Sequence, residues 1–373
     1  MEFVEKSIQD EQMMYRIAIT LLPSVGDITA KKLISYCGGI EAVFREKKQN
    51  LLKIPGIGKG IVNQIKLPEI MQRAEQEIKF IEKFAIKVLF YTDKSYPERL
   101  KQCIDSPVLL YQKGHCDLNS KRIVSIVGTR NATDYGKEST EKLLANLKAL
   151  DVLVVSGLAY GIDTCAHETA VEHGMYTAAV LGHGLDRIYP ALNKKLAGRI
   201  VQKGCLLSDF PGKTNPDREN FPKRNRIVAG LSDAVIVVES ASRGGALITA
   251  DIANSYNRDV FAFPGRAGDK YSEGCNFLVK TNRAALIESA ADFLYMMGWQ
   301  EKEAMPARQK KLFIKLADDE QKLLGLLEQE GEMGIDKLCI RSGLSATRTA
   351  SALLNLEFEG IVRCLPGKVY KLY

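Results

Sequence analysis

At 373 residues the chain is longer than one hydrophobic core usually organises, and a prior of about 150 residues per domain predicts two or three modules. Its 46% hydrophobic and 26% charged content, with 30 Gly and 12 Pro spread along the length, matches a folded globular protein and excludes disordered and collagen-like classes. No window approaches the roughly 18 uninterrupted apolar residues of a membrane span. The first ten residues carry Glu2, Glu5 and Asp10 where a secretory leader would be basic and then apolar, so a cytosolic protein without a membrane partner is expected.

Eight cysteines stand without a CxxC pair and four histidines without zinc spacing, which predicts reduced thiols and no metal site. Cys165 and Cys205 lie in apolar stretches and read as small buried hydrophobes, not nucleophiles. Net charge is +7 overall, but residues 318–373 carry 7 basic and 9 acidic side chains, so the tail is the one acidic piece.

Residues 1–87 read as short helices joined by glycine hairpins. Leu22-Pro-Ser-Val-Gly26 and Ile54-Pro-Gly-Ile-Gly58 resemble each other, each preceding a helix, in a helix-hairpin-helix pattern. The second copy has the small residues that let backbone N–H groups face a DNA phosphate, and the first is degraded; a plain helical packing domain fits the same spacing.

From Val88 to about 300 the period changes to short β-branched runs alternating with helical stretches: 122–128, 152–157, 177–182, 205–210, 234–240 and 259–265. Such repetition predicts an α/β, Rossmann-like, doubly wound parallel sheet, and runs that are apolar throughout suit central strands covered on both faces. Residues 301–317 read as a charged linker. Residues 318–373 follow the order helix, helix, turn, helix, two short strands, the layout of a winged helix.

In a parallel sheet the ligand site lies beyond the carboxyl ends of the strands. The first three loops there contain Gly128-Thr129-Arg130, Ser156-Gly157 and Gly182-His183-Gly184. Glycine permits close backbone approach, hydroxyls bind oxygens and Arg130 supplies fixed charge, so a phosphate-bearing ligand is expected. Neither GxGxxG nor GxxxxGK[ST] is present, which argues against a dinucleotide cofactor and a P-loop. No cofactor is predicted.

The segment after the fourth run, Arg218-Glu-Asn-Phe221-Pro-Lys223-Arg224-Asn225-Arg226, mixes cations with an aromatic and an amide. On charge alone a solvated helix start is the plainer reading, but the position after the fourth run and the aromatic also fit a groove for a single nucleic-acid strand, where backbone charge contact joins base stacking. On this reading Arg130, Arg218, Lys223, Arg224 and Arg226 form the basic rim of one pocket, with Gly128, Ser156 and Gly157 on its floor.

These blocks, with Tyr96-Pro-Glu-Arg-Leu100, Ser156 to Asp163, Ile188-Tyr-Pro190, Leu247-Ile-Thr-Ala250 and Phe263-Pro-Gly265, resemble the DprA/Smf family, the DNA-processing A proteins of bacterial transformation. The resemblance implies a single-stranded DNA-binding protein that protects incoming strands, helps load the RecA recombinase and dimerises through its Rossmann-like domain, with no catalysis. Ser242 to Ala246 and Asp209 depart from the family's usual residues. The homodimer is placed on Ala284 to Met297, through Leu286, Ile287, Phe293 and Leu294, although the same stripe could complete the monomer core.

The competing class is an enzyme of the nucleotide phosphoribohydrolase type, which also holds phosphate on a late Gly-rich loop. Here Gly244-Gly245 is followed by Ala246-Leu-Ile-Thr249, without the third Gly or the catalytic Glu. His167 and Asp163 read as a hydrogen-bonded helix residue and a helix-start residue. The acidic tail is expected to dock protein in preference to reading duplex DNA.

Overall fold

Apolar runs of four to six residues, too short for helices and rich in Val, Ile and Leu, build the centre of the molecule. A computed structural model describes residues 2–65, 67–300, 316–365 and 368–372. The strands are β1 Lys87–Phe90, β2 Leu109–Gly114, β3 Arg122–Val127, β4 Val152–Ser156, β5 Thr177–Val180, β6 Cys205–Ser208, β7 Ala234–Val237, β8 Asp259–Ala262 and β9 Ala285–Leu286, in the order β1-β2-β6-β5-β4-β3-β7-β8-β9. From β6 to β9 every pairing is parallel, and β3 meets β7 in the register Val124↔Ala234 to Val127↔Val237. The α/β, largely parallel sheet expected from the alternating runs is therefore present. β2 and β1 extend it antiparallel beyond β6.

The central strands are buried on both faces, so their polar side chains find partners inside. Ser125 Oγ donates to Val228 O at 2.7 Å and Ser156 Oγ to Ile126 O at 2.6 Å. One face packs Leu143, Leu144 and Leu147 of the helix Asp134–Leu147 together with Ile287 and Phe293. The other packs Leu231 and Ala250 from the helices Asn220–Leu231 and Gly245–Ser255.

The six N-terminal helices, Glu2–Thr20 to Pro68–Lys83, share a core with the β1-β2 end of the sheet, where Leu33, Val43 and Leu51 belong to the same cluster as Leu109 and Tyr111. Residues 1–299 accordingly form one compact unit and 300–373 a second. Both hairpins place their third residue in the left-handed region, Ser24 at φ 62° and Gly56 at φ 82°, so the degraded copy keeps the backbone shape without the glycine. The helix that follows begins with Asp27, whose Oδ1 accepts from Val108 N at 2.8 Å, so the first hairpin is tied to the sheet domain.

Of the stripe offered as a dimer surface, Ile287 and Phe293 are fully buried in the monomer. Phe293 meets Phe261 and Trp299 edge-on at 5.2 and 5.4 Å, so these two residues are corrected to core. Leu286, at the sheet edge, is exposed.

Most of the expected linker 301–317 lies outside the described residues. The second unit holds the helices Asp318–Glu330, Ile335–Ser342 and Ala346–Phe358, then β10 Glu332–Gly334, β11 Val362–Leu365 and β12 Val369–Leu372 in the antiparallel order β10-β12-β11. Leu323, Leu327, Leu338 and Leu353 fill its small core, giving the winged-helix layout. Among the described residues no helix is long and apolar enough to cross a membrane, and no group of His, Cys, Asp and Glu could hold a metal ion.

Candidate nucleic-acid interface

The chain steps outward from β3 through β4 and β5 to β6, then returns to the other side of β3 for β7 and β8. Loops after β3 and β7 therefore diverge, opening a crevice at the carboxyl ends where ligands bind in such sheets. A cavity of about 710 Å³ occupies it, lined by 127–131 after β3, Ala159 and Asp163 after β4, Arg218, Phe221, Arg224 and Asn225 after β6, Ala241 and 243–246 after β7, and Lys270 with Tyr271 after β8.

One residue fixes the loop that carries Arg130. The Glu239 carbonyl accepts from Thr129 N at 2.7 Å, and its buried carboxylate accepts from Thr133 N at 2.9 Å and from the Thr133 hydroxyl. Thr133 in turn caps the helix Asp134–Leu147. On the other side Gly161, at φ 78°, lies so close that a Cβ there would sit 2.2 Å from Thr129 O. Gly128, Thr129, Arg130 and Asn131 thus line the cavity from a backbone held at both ends.

The basic segment does not form one strip, because it lies in the helix Asn220–Leu231, where successive residues turn by about 100°. Arg224 points inward and is 5% exposed. Its Nη1 donates to Val180 O at 3.1 Å, and a Cβ on Gly157 would lie 1.5 Å from that nitrogen, so any side chain at 157 would displace the guanidinium. Burial lowers the Arg224 pKa, opposed by the Asp163 carboxylate, and among the described residues Nε has no hydrogen-bond partner. Arg224 is therefore corrected from rim to floor.

Arg226 faces away from the cavity. Its Nη2 donates to Asp27 Oδ2 at 2.8 Å and Asp209 Oδ2 at 2.7 Å, and its Nη1 to the Asp105 carbonyl, tying this helix to the N-terminal helices. Its place in the rim is withdrawn for that reason. Lys223 is exposed but does not line the cavity, and the buried Ser156 and Gly157 lie behind it. Of the expected rim, Arg130 and Arg218 remain, and both are exposed.

Among the lining residues that sequence reasoning missed are the charged and aromatic Tyr189, Arg243, Lys270 and Tyr271. Arg243 sits in a Gly-rich loop already singled out and could have been found there. Lys270 stands in a loop with no local signal. Arg130 lies over the Phe221 ring, 5.5 Å from its centroid, and Tyr189 flanks Phe221 at 6.0 Å, so cation and aromatic surfaces are presented together.

Beneath the floor His167 Nδ1 pairs with Thr177 Oγ1 at 2.7 Å, and burial, helped by Arg224, pushes its pKa down to about 3. Burial raises the Asp163 pKa against the opposing pull of Arg224, and Asp163 is the one carboxylate among the described lining residues. Burial also raises the thiol pKa values of Cys165 and Cys205. The arrangement offers fixed positive charge and flat aromatic faces, the requirements of a single-strand groove.

Comparison with known proteins agrees with this chemistry. Residues 87–298 match the profile of DNA recombination-mediator protein A, and residues 304–368 that of the DprA winged helix domain. The chain is 32% identical to protein Smf of Synechocystis over 97% of its own length and 99% of that protein, and 43% identical to DNA processing protein DprA of Streptococcus pneumoniae over 54% and 71%. The X-ray structure of DprA from S. pneumoniae aligns with a TM-score of 0.65 at 35% identity, covering 76% of this chain and 97% of that one. DprA from Helicobacter pylori, described for its single-stranded DNA binding mode, aligns at 0.53 and 31% identity, covering 58% and 97%. With the profile spanning more than half of its length and a relative matched end to end, the chain belongs to the DNA recombination-mediator protein A (DprA/Smf) family.

Proposed function

We propose that the chain binds single-stranded DNA in the crevice between β3 and β7, protects incoming strands and helps load a RecA recombinase on them as a homodimer. The observation that carries the DNA reading is the free, exposed set Arg130, Arg218, Arg243 and Lys270 around the Phe221 and Tyr189 rings. Among the described residues none of these cations forms a salt bridge. The H. pylori relative's described single-strand binding supports the same assignment. Division of labour follows the modules: 88–300 takes the strand, while 318–373 serves docking.

The phosphoribohydrolase reading is disfavoured because the cavity-lining loop 241–249 carries no carboxylate. Incubation with nucleoside monophosphates should therefore release no free base. Fluorescence anisotropy with single-stranded and duplex oligonucleotides at several salt concentrations tests the main proposal. Four neutralised phosphates would give a log–log salt slope of about −3 on single strands. Equal or better duplex binding, or no salt dependence, overturns it. Light scattering at micromolar concentration tests the dimer, and a monomer with and without DNA would remove it.

A further inference from the structure

A second cavity of about 640 Å³ adjoins the first and shares Lys270 and Tyr271 with it. Its walls include Tyr135, Pro264, Tyr271 and the Glu239 carboxylate, with the exposed Arg266, Asp269 and Lys270 also on its lining. These walls are fixed before any ligand arrives. Tyr135 Oη donates to Pro264 O at 2.8 Å, Ser240 N to Tyr271 O at 2.7 Å, and Asn276 Nδ2 to Gly265 O at 2.9 Å. Lys270 Nζ lies 5.5 Å from the Tyr271 ring centroid, next to the shared wall.

The chemistry differs from that of the first cavity. A buried carboxylate in the wall repels a phosphate, and its two oxygens are already taken by Thr133. Two phenol rings and a pyrrolidine present flat apolar surface to a neutral group, while Arg266 and Lys270 can neutralise phosphates on either side of it. We propose that this cavity is a second nucleotide subsite, which takes the base of a nucleotide neighbouring the one held between β3 and β7. The assignment rests on the proposed single-strand binding.

The test compares an oligothymidylate with an abasic strand of the same length, hence the same phosphates, against the full chain and its Tyr135→Ala and Tyr271→Ala variants. Stacking on the rings predicts that each variant loses roughly 5- to 150-fold in affinity for the oligothymidylate. Affinity for the abasic strand should hold to within about twofold, because it never made the contact. Variants that bind the oligothymidylate like the unaltered chain, or that lose both ligands in equal proportion, overturn the second subsite. Tyr271 also lines the first cavity, so Tyr135→Ala, which alters the second cavity alone, decides; Tyr135→Leu, which keeps the bulk without the ring, takes its place if the melting profile shows misfolding. An unaltered chain that binds neither strand fails the proposed function itself, a separate outcome.

Discussion

In the crevice, Arg130 lies over an aromatic ring, and Arg243 and Lys270 face the same cavity with no carboxylate partner among the described residues. In the C-terminal unit, Arg348 on the helix Ala346–Phe358 is closed on Asp319 by two hydrogen bonds of 2.8 and 2.7 Å, while Arg341 and Lys337 share Glu330. The two regions teach that availability of charge, more than its count, separates a phosphate-binding face from a solvated one. A guanidinium already paired must break one interaction to make another, and an exposed pair gains little from either. Arg226 adds a third state, paired and largely buried, in which the charge holds the structure together.

Removing arginines one at a time should sort them accordingly. The largest effect is expected for Arg226→Ala, which strands Asp27 and Asp209 without their partner; losing one side of such a pair costs about 3–5 kcal/mol. Urea unfolding would read this as a lower midpoint, and an unchanged midpoint would show that the tie is decorative.

Acid comes next, and it separates the units, because every histidine lies in the first. His167 has a folded pKa of about 3, below its ordinary value of about 6.5, so the unfolded state binds the extra proton between them. Its contribution to stability is complete above about pH 6.5 and is lost as pH falls toward 3, with a slope approaching 1.4 kcal/mol per pH unit. His183 is displaced in the same direction by burial. Stability measured from pH 7.5 to 4 should flatten in His167→Gln; parallel curves for the two proteins would contradict the dry, positively charged interior beneath the crevice.

Arg130→Ala should weaken single-strand binding and make the salt slope shallower by about 0.7, with folding intact. A slope identical to that of the unaltered chain would place the strand elsewhere. The smallest effect is expected for Arg348→Ala: no change in DNA binding, and a stability change below about 1 kcal/mol for an exposed pair. A marked loss of duplex affinity would reverse the comparison and make the winged helix a DNA reader.

The sheet was legible where apolar runs were continuous, as in Val-Ile-Val-Val at 235–238, and its loops could be placed because ligands gather at one edge of a parallel sheet. The antiparallel β1 and β2 went unread because Lys87–Phe90 is short and mixed, and an edge extension leaves no period of its own. Arg130, Arg218 and Phe221 were legible as residues of the crevice, since each lines the cavity from a loop or a helix start. Arg224 and Arg226 were not. Two positions apart on a helix they point about 200° away from each other, and the Asp27 that holds Arg226 lies 199 residues earlier in the chain. Lys270 is likewise near the crevice only because β8 adjoins β7.

The grip of Glu239 on Thr129 and Thr133 has a kinetic consequence. A loop that must order itself around its ligand slows association and surrenders part of the contact energy to lost chain freedom. Here that ordering is completed during folding, so capture of a strand requires only the turning of side chains on an immobile backbone. Encounter is then governed by long-range attraction between the exposed cations and the strand, and added salt should act chiefly on the association rate, leaving the lifetime of the complex to the stacked bases.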